Sequence, residues 1–173
     1  LRDFKLAGVH LDTDKKQQLI ELKQLLSQLT TKFEQNIMDA TDSFTHVINR
    51  EEDLAGIPKM FTDAASNKAS QNGLTNSWQF GLDAPTFIAI MSYAEDRSFR
   101  ELMYRAYISR ASDVGPGSNN FDNSQILVDI LKLKQQLAEI LGFANFAEYS
   151  LETKMASSVT EVMEFLQDLG AKS

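Results

Sequence analysis

A chain of 173 residues, 43% hydrophobic and 24% charged, has apolar side chains enough for a sizeable core and a composition that excludes disorder. The net charge of −7 excludes nucleic acid and anionic membrane surfaces as expected partners, because their phosphates demand clustered Lys and Arg. The absence of cysteine removes disulfides, thiolate nucleophiles and thiolate metal sites together, and fits a reducing compartment. No apolar run approaches the ~20 residues of a membrane span, and no secretory leader is recognisable at the start.

Taken in chain order, residues 1–12 read as a short mixed stretch in which Phe4, Leu6, Val9 and Leu11 can pack on something. From 13 to 49 the pattern is helical, with Leu22, Leu25, Leu26, Leu29, Phe33, Ile37, Ala40, Phe44 and Val47 recurring at three- and four-residue steps and no Gly or Pro between. Such a helix would be about 55 Å long, more than a small domain needs. Glu51, Glu52 and Asp53 lead through Gly56 to Pro58, a favourable first-turn proline for a helix over 58–71 that stops at Asn72-Gly73. Residues 77–82 place Trp78, Phe80 and Leu82 on one face and form the one convincing strand. Alone it would leave backbone groups unpaired, so it is expected to pair with a strand from elsewhere or with a second copy.

Pro85 opens a helix through Tyr93, and a further helix covers 96–111 with Phe99, Met103 and Tyr107 at four-residue steps. Residues 115–120 form a plain loop. Asp122 or Asn123 can cap the next helix, which runs to Leu141 and stops at Gly142. Asn145 with Glu148, and Ser158 with Glu161, have capping-box spacing and start two more helices. The fold class is all-α, a multi-helix segment with a long N-terminal helix and one short strand at about 77–82. No repeat or linker divides residues 1–173, which read as a single helical segment.

The residues that could carry chemistry are few. His46 lies four residues after Asp42, on one face of the predicted helix, but structural zinc needs four ligands and catalytic zinc three plus water. The two read as an ordinary charged pair on a solvated face. In His10-x-Asp12-x-Asp14, Asp12 and Thr13 serve better as caps and Asp14 as a first-turn anion. The carboxylate sets Asp39/Asp42, Glu51/Glu52/Asp53, Glu148/Glu152 and Glu164/Asp168 read as solvated helix faces. Arg97, Arg100, Arg105 and Arg110 could grip an anion, yet their acidic neighbours favour local ion pairs. Trp78, Phe80, Tyr93 and Tyr104 read as core rather than a stacking platform. There is no His-Glu-x-x-His, no nucleophile elbow and no phosphate loop. No catalytic or metal residue is assigned, and substrate-binding residues stay unknown.

Several stretches together resemble one family. They are Leu6-Ala-Gly-Val-His-Leu11, Leu29-Thr-Thr-Lys-Phe-Glu-Gln-Asn-Ile-Met-Asp-Ala-Thr41, Asp53-Leu-Ala-Gly-Ile-Pro58, Trp78-Gln-Phe-Gly-Leu-Asp83 and Met91-Ser-Tyr-Ala-Glu-Asp-Arg97. Further on come Tyr104-Arg-Ala-Tyr-Ile-Ser-Arg-Ala-Ser-Asp113, Asp122-Asn-Ser124, Leu141-Gly-Phe-Ala-Asn-Phe-Ala-Glu-Tyr-Ser150 and Thr153-Lys-Met-Ala156. In this order they resemble the oligopeptidase A and thimet oligopeptidase family of zinc metallopeptidases. The resemblance implies a longer, mostly helical cytoplasmic enzyme built around a channel for short peptides. It also implies zinc, held by a His-Glu-x-x-His helix and a later Glu that map onto none of these residues. On that reading the chain is a segment of the N-terminal half, forms helical wall of the channel, and has the remaining polypeptide as its partner. The alternative is a free-standing helical interaction module that docks through its long helix.

Overall fold

The computed structural model describes residues 1–116 and 120–173. Among them the chain is mostly helical, with one two-stranded ladder, in keeping with the all-α expectation. It forms two compact units, one of residues 1–31 with 126–173 and one of residues 32–125.

In the first unit, the opening stretch contains a short helix, α1 (Arg2–Leu6), too brief to show a period in the sequence. Helix α2 (Thr13–Ser43) starts where the Asp12 carboxylate accepts the Lys15 N–H at 2.8 Å, as its capping role requires. Leu19 of α2 packs with Leu137 of α6 (Ser124–Ile140) and with Leu141, and Phe143, Phe146 and Tyr149 close around them. Each leucine buried in this way contributes about 2 kcal/mol. Helix α6 ends at Ile140, and Gly142 just beyond it, with φ of +85°, is the left-handed stop. There Gly142 N–H donates to the Glu139 carbonyl and Phe143 N–H to that of Ala138, which satisfies two of the helix's orphan acceptors. Each expected cap forms its first half as spaced, while Glu148 and Glu161 reach back past the cap to Ala144 N–H and Ser157 N–H. Asn145 caps α7 (Phe146–Leu151) by accepting from Glu148 N–H at 2.9 Å, and Ser158 caps α8 (Val159–Lys172) by accepting from Glu161 N–H at 3.1 Å.

The second unit corrects two expectations. The long helix does not run to 49: α2 ends at Ser43, and residues 46–48 form strand β1 (His46–Ile48). The hydroxyls of Thr41 and Ser43 donate to the carbonyls of Ile37 and Ala40, using up acceptors of the last turn. The β-branched Thr45, Val47 and Ile48 then favour extended backbone. The strand around 78–80 is therefore not without a partner. Strand β2 (Trp78–Phe80) pairs antiparallel with β1, in the register His46 with Phe80, Val47 with Gln79 and Ile48 with Trp78.

The remaining elements of this unit frame the ladder. After β1 a 3-10 turn (Glu51–Leu54) leads to α3 (Lys59–Gln71), which packs on β2 and ends at Asn72-Gly73 as expected. Asn72 Nδ2 donates to Gln79 Oε1 at 2.7 Å, so a helix end and a strand residue satisfy one another. Asp83 caps α4 (Ala84–Tyr93) through Thr86 N–H, and Asp96 caps α5 (Arg97–Ile108) through Ser98 N–H. The core gathers Ile48, Leu54, Phe80, Ile90, Phe99 and Met103 from these elements. Before α6, Asp122 is the capping residue, accepting from Ser124 N–H and Oγ. Asn123 is buried instead: it accepts from Asn36 Nδ2 at 2.8 Å and donates to the Phe33 carbonyl at 3.0 Å. Of the predicted loop over 115–120, residues 117–119 lie outside the described residues.

Candidate functional site: a groove beside an open strand edge

Most side chains that could have carried chemistry are taken up by local structure. Asp42 stays on α2 while His46 moves to β1, so the expected helical pair of the two does not form. His10 is exposed in the turn before α2, and Asp12 is spent as a cap. Asp39 accepts from Gln35, Asp168 pairs with Lys172 at 2.6 Å, and Glu148 reaches back to Ala144 N–H and Asn145. Among the four arginines, Arg105 forms the expected ion pair with Glu101 at 2.8 Å. Arg100 donates instead to the Ala94 and Glu95 carbonyls. The Arg110 guanidinium lies 3.6 Å over the Tyr107 ring and donates to Thr41 Oγ1 at 3.1 Å. Of the aromatics expected in the core, Phe80 is buried and Trp78 packs against its cluster, but Tyr93 and Tyr104 are about half exposed. They lie on the outward sides of α4 and α5, a direction that four-residue steps alone do not distinguish from the inward one.

One place does collect polar groups around an apolar floor. A groove of about 520 Å³ follows β1 and the two residues after it, His46 through Arg50, and is closed on its far side by Asp96, Ser98, Phe99 and Leu102 around the α5 start. This lies within the ~300–1,000 Å³ of ordinary ligand clefts. The ladder has two strands among the described residues, so β1 is paired on one side only. Asn49 accepts from the buried Ser77 hydroxyl at 2.9 Å, which ties the end of β1 to the start of β2.

The electrostatics of the groove divide between its ends. At one end the His46 ring stacks on Phe99, centroids 5.2 Å apart, and Phe99 in turn lies 5.4 Å from Phe80. Burial against these rings lowers the His46 pKa below its ordinary 6.5, so the imidazole is neutral at pH 7. At the other end Arg50 donates its fork to Asp53 at 2.6 and 2.9 Å and reaches Glu52 at 2.8 Å. The hydrogen bond to Asp53, followed by the charges of Asp53, Glu52 and Asp96, raises the Arg50 pKa further above its ordinary value. One cation thus stands among three carboxylates, and this end is net acidic.

The residues present do not fit a zinc ion. The chain has two histidines, one exposed and one stacked on Phe99, and no cluster of three or more His, Cys, Asp or Glu that could hold a metal occurs among the described residues. Helical periodicity alone hides the groove because it hides β1. The signal that could have found it is the β-branched Thr45-x-Val47-Ile48 that follows two hydroxyl residues at the helix end.

Fold and groove define a class: a mostly helical chain whose polar side chains serve local structure, with a groove that follows β1. Residues 90–173 match the model of Peptidase family M3. Along its whole length the chain is 40% identical to oligopeptidase A of Haemophilus influenzae and 40% identical to oligopeptidase A of Escherichia coli, in each case over 25% of that protein. It is 36% identical, again over its whole length and 25% of the relative, to a probable cytosolic oligopeptidase A of Arabidopsis thaliana. The chain is thus similar to oligopeptidases A along its whole length, and to Peptidase family M3 over its C-terminal part. It spans about a quarter of the length of these curated relatives. No helix among the described residues is long and apolar enough to cross a membrane.

Proposed function

We propose that the 173 residues form one non-catalytic portion of a cytoplasmic zinc-dependent oligopeptidase, and that they build helical wall of the channel that admits its short peptide substrates. The observation that carries this reading is the 40% identity, along the whole chain, to a quarter of oligopeptidase A. Zinc and the groups that bind it would come from the remaining polypeptide, since the two histidines here do not converge. This portion's own contribution is steric and orienting: rigid capped helices limit what enters, and backbone and side-chain polar groups hold peptide in place.

Exposed apolar side chains support the same reading. Met163, Phe165, Leu166 and Leu169 of α8 and Ile88, Tyr93, Tyr104 and Ile108 of α4 and α5 are all open to solvent. Such faces mark surfaces that another part of a protein covers. A stand-alone interaction module would also display them, but it gives no reason for identity spread along the whole chain.

The test is peptide hydrolysis. A protein containing this sequence at the length of its relatives should cleave short unstructured peptides and lose that activity to a chelator, while the 173-residue chain alone cleaves none with or without zinc. Zinc-dependent turnover by the pure chain, abolished in His46→Ala, would overturn the assignment.

A further inference from the structure

We infer that the groove along β1 binds an extended peptide carrying a basic side chain, which adds to the ladder as a third strand and sets its cation beside Asp53 and Asp96. The choice of a peptide rests on the peptidase reading above; the mode and the charge rest on geometry.

The mode follows from the backbone. A strand with one partner presents unsatisfied N–H and C=O groups along its other edge, and an extended peptide is the ligand that satisfies them in a row. The groove wall is made of the consecutive residues 46–50. At ~3.3 Å per residue that wall measures about 16 Å, the length of a pentapeptide. Phe99 and Leu102 supply an apolar floor for alternate side chains of such a strand.

The charge follows from the side chains. Arg50 is already held by Asp53 and Glu52, and Asp96 uses one oxygen on Ser98 N–H. A second cation would therefore meet a surplus of carboxylate, whereas an anion would meet repulsion. A neutral His46 at the other end neither attracts nor repels it.

The experiment is a nuclear magnetic resonance titration of the protein at the length of its relatives, labelled in this segment and with hydrolysis blocked by a chelator. The probes are two acetylated, amidated pentapeptides, one alternating Val with Lys and the other Val with Glu. The Lys peptide should give saturable shifts centred on the amides of 46–50, slow their exchange with solvent, and bind roughly tenfold more tightly than the Glu peptide at low salt. Asp96→Ser keeps a capping residue but removes the charge; it should weaken the Lys peptide about threefold or more, with helicity by circular dichroism unchanged. Absent or scattered shifts, or equal affinity for the two peptides, would overturn the proposal. No binding here, with intact peptide hydrolysis by the protein of relatives' length, would remove the groove and leave the peptidase reading standing. Loss of that hydrolysis with binding retained would do the reverse.

Discussion

Single residues separate strain from space most clearly at two glycines. Gly56 and Gly142 have nearly the same left-handed backbone, φ +83° and +85°. A Cβ on Gly142 would meet nothing, whereas one on Gly56 would collide with the Tyr93 carbonyl oxygen and press on Glu95. Gly142→Ala therefore costs only the left-handed strain, about 1–2 kcal/mol, while Gly56→Ala should cost about twice that or more in urea denaturation. Equal losses would show that the loop after the 3-10 turn yields, and that its contact with the end of α4 is not fixed. His46 gives a second prediction. Burial lowers its pKa in the folded chain, so the unfolded chain binds the proton more readily once pH falls below about 6.5. The stability that comes from a neutral His46 is complete above that pH and is lost as pH drops toward the lower folded value. Asp53 and Asp96 share the groove, but burial is the cause resolved at His46. Stability of the wild type relative to His46→Gln should fall across that window, and a flat difference between pH 5 and 8 would mean that the ring is solvated.

At the scale of elements, the sequence is legible wherever a side chain itself closes a helix end. Asp12, Asp83, Asp96, Asn145 and Ser158 all cap through their own oxygens, and the helices they open start within a residue or two of where composition alone places them. The end of α2 is not legible in that way. Phe44 and Val47 continue a three-residue step that suits a helix. The competing preference of Thr45, Val47 and Ile48 for extended backbone wins only because Trp78–Phe80 is available to pair with them. That pairing joins residues far apart in the chain, Val47 with Gln79 at its centre, and periodicity within a window cannot show it. The groove is illegible for the same reason, since its two walls are β1 and the start of α5. Charge patterning fares better: Glu101 pairs with Arg105 at helical spacing as expected, and Asp168 on its solvated face finds Lys172 at the same spacing. Arg100 and Arg110 depart from it, one bound to backbone carbonyls and the other laid over a ring.

Many large apolar side chains among the described residues stay exposed, and α8 is where their purpose can be tested. Its apolar stripe runs through Val162, Leu166 and Leu169, with Met163 and Phe165 beside it, and Leu166 and Leu169 are each 51% exposed. A cap from Ser158 and a charge pair at Asp168 and Lys172 give this helix its local order. Neither explains why one face is apolar, because a helix that only needs solvation would be polar all round. Under the proposed function the stripe is buried by the rest of a longer protein, one of which this chain is about a quarter, so Leu166→Glu should act differently in two settings. In the 173-residue chain it replaces one half-exposed side chain with another and should change stability by no more than about 0.5 kcal/mol. In the protein at the length of its relatives it would place a carboxylate in an apolar contact, and should cost about 2 kcal/mol or more and lower the melting temperature by several degrees. Calorimetry of each length, with and without the substitution, measures the difference directly. A small effect at both lengths would mean that this face of α8 stays in water, and the apolar stripe would then count for the interaction module rather than for the channel wall.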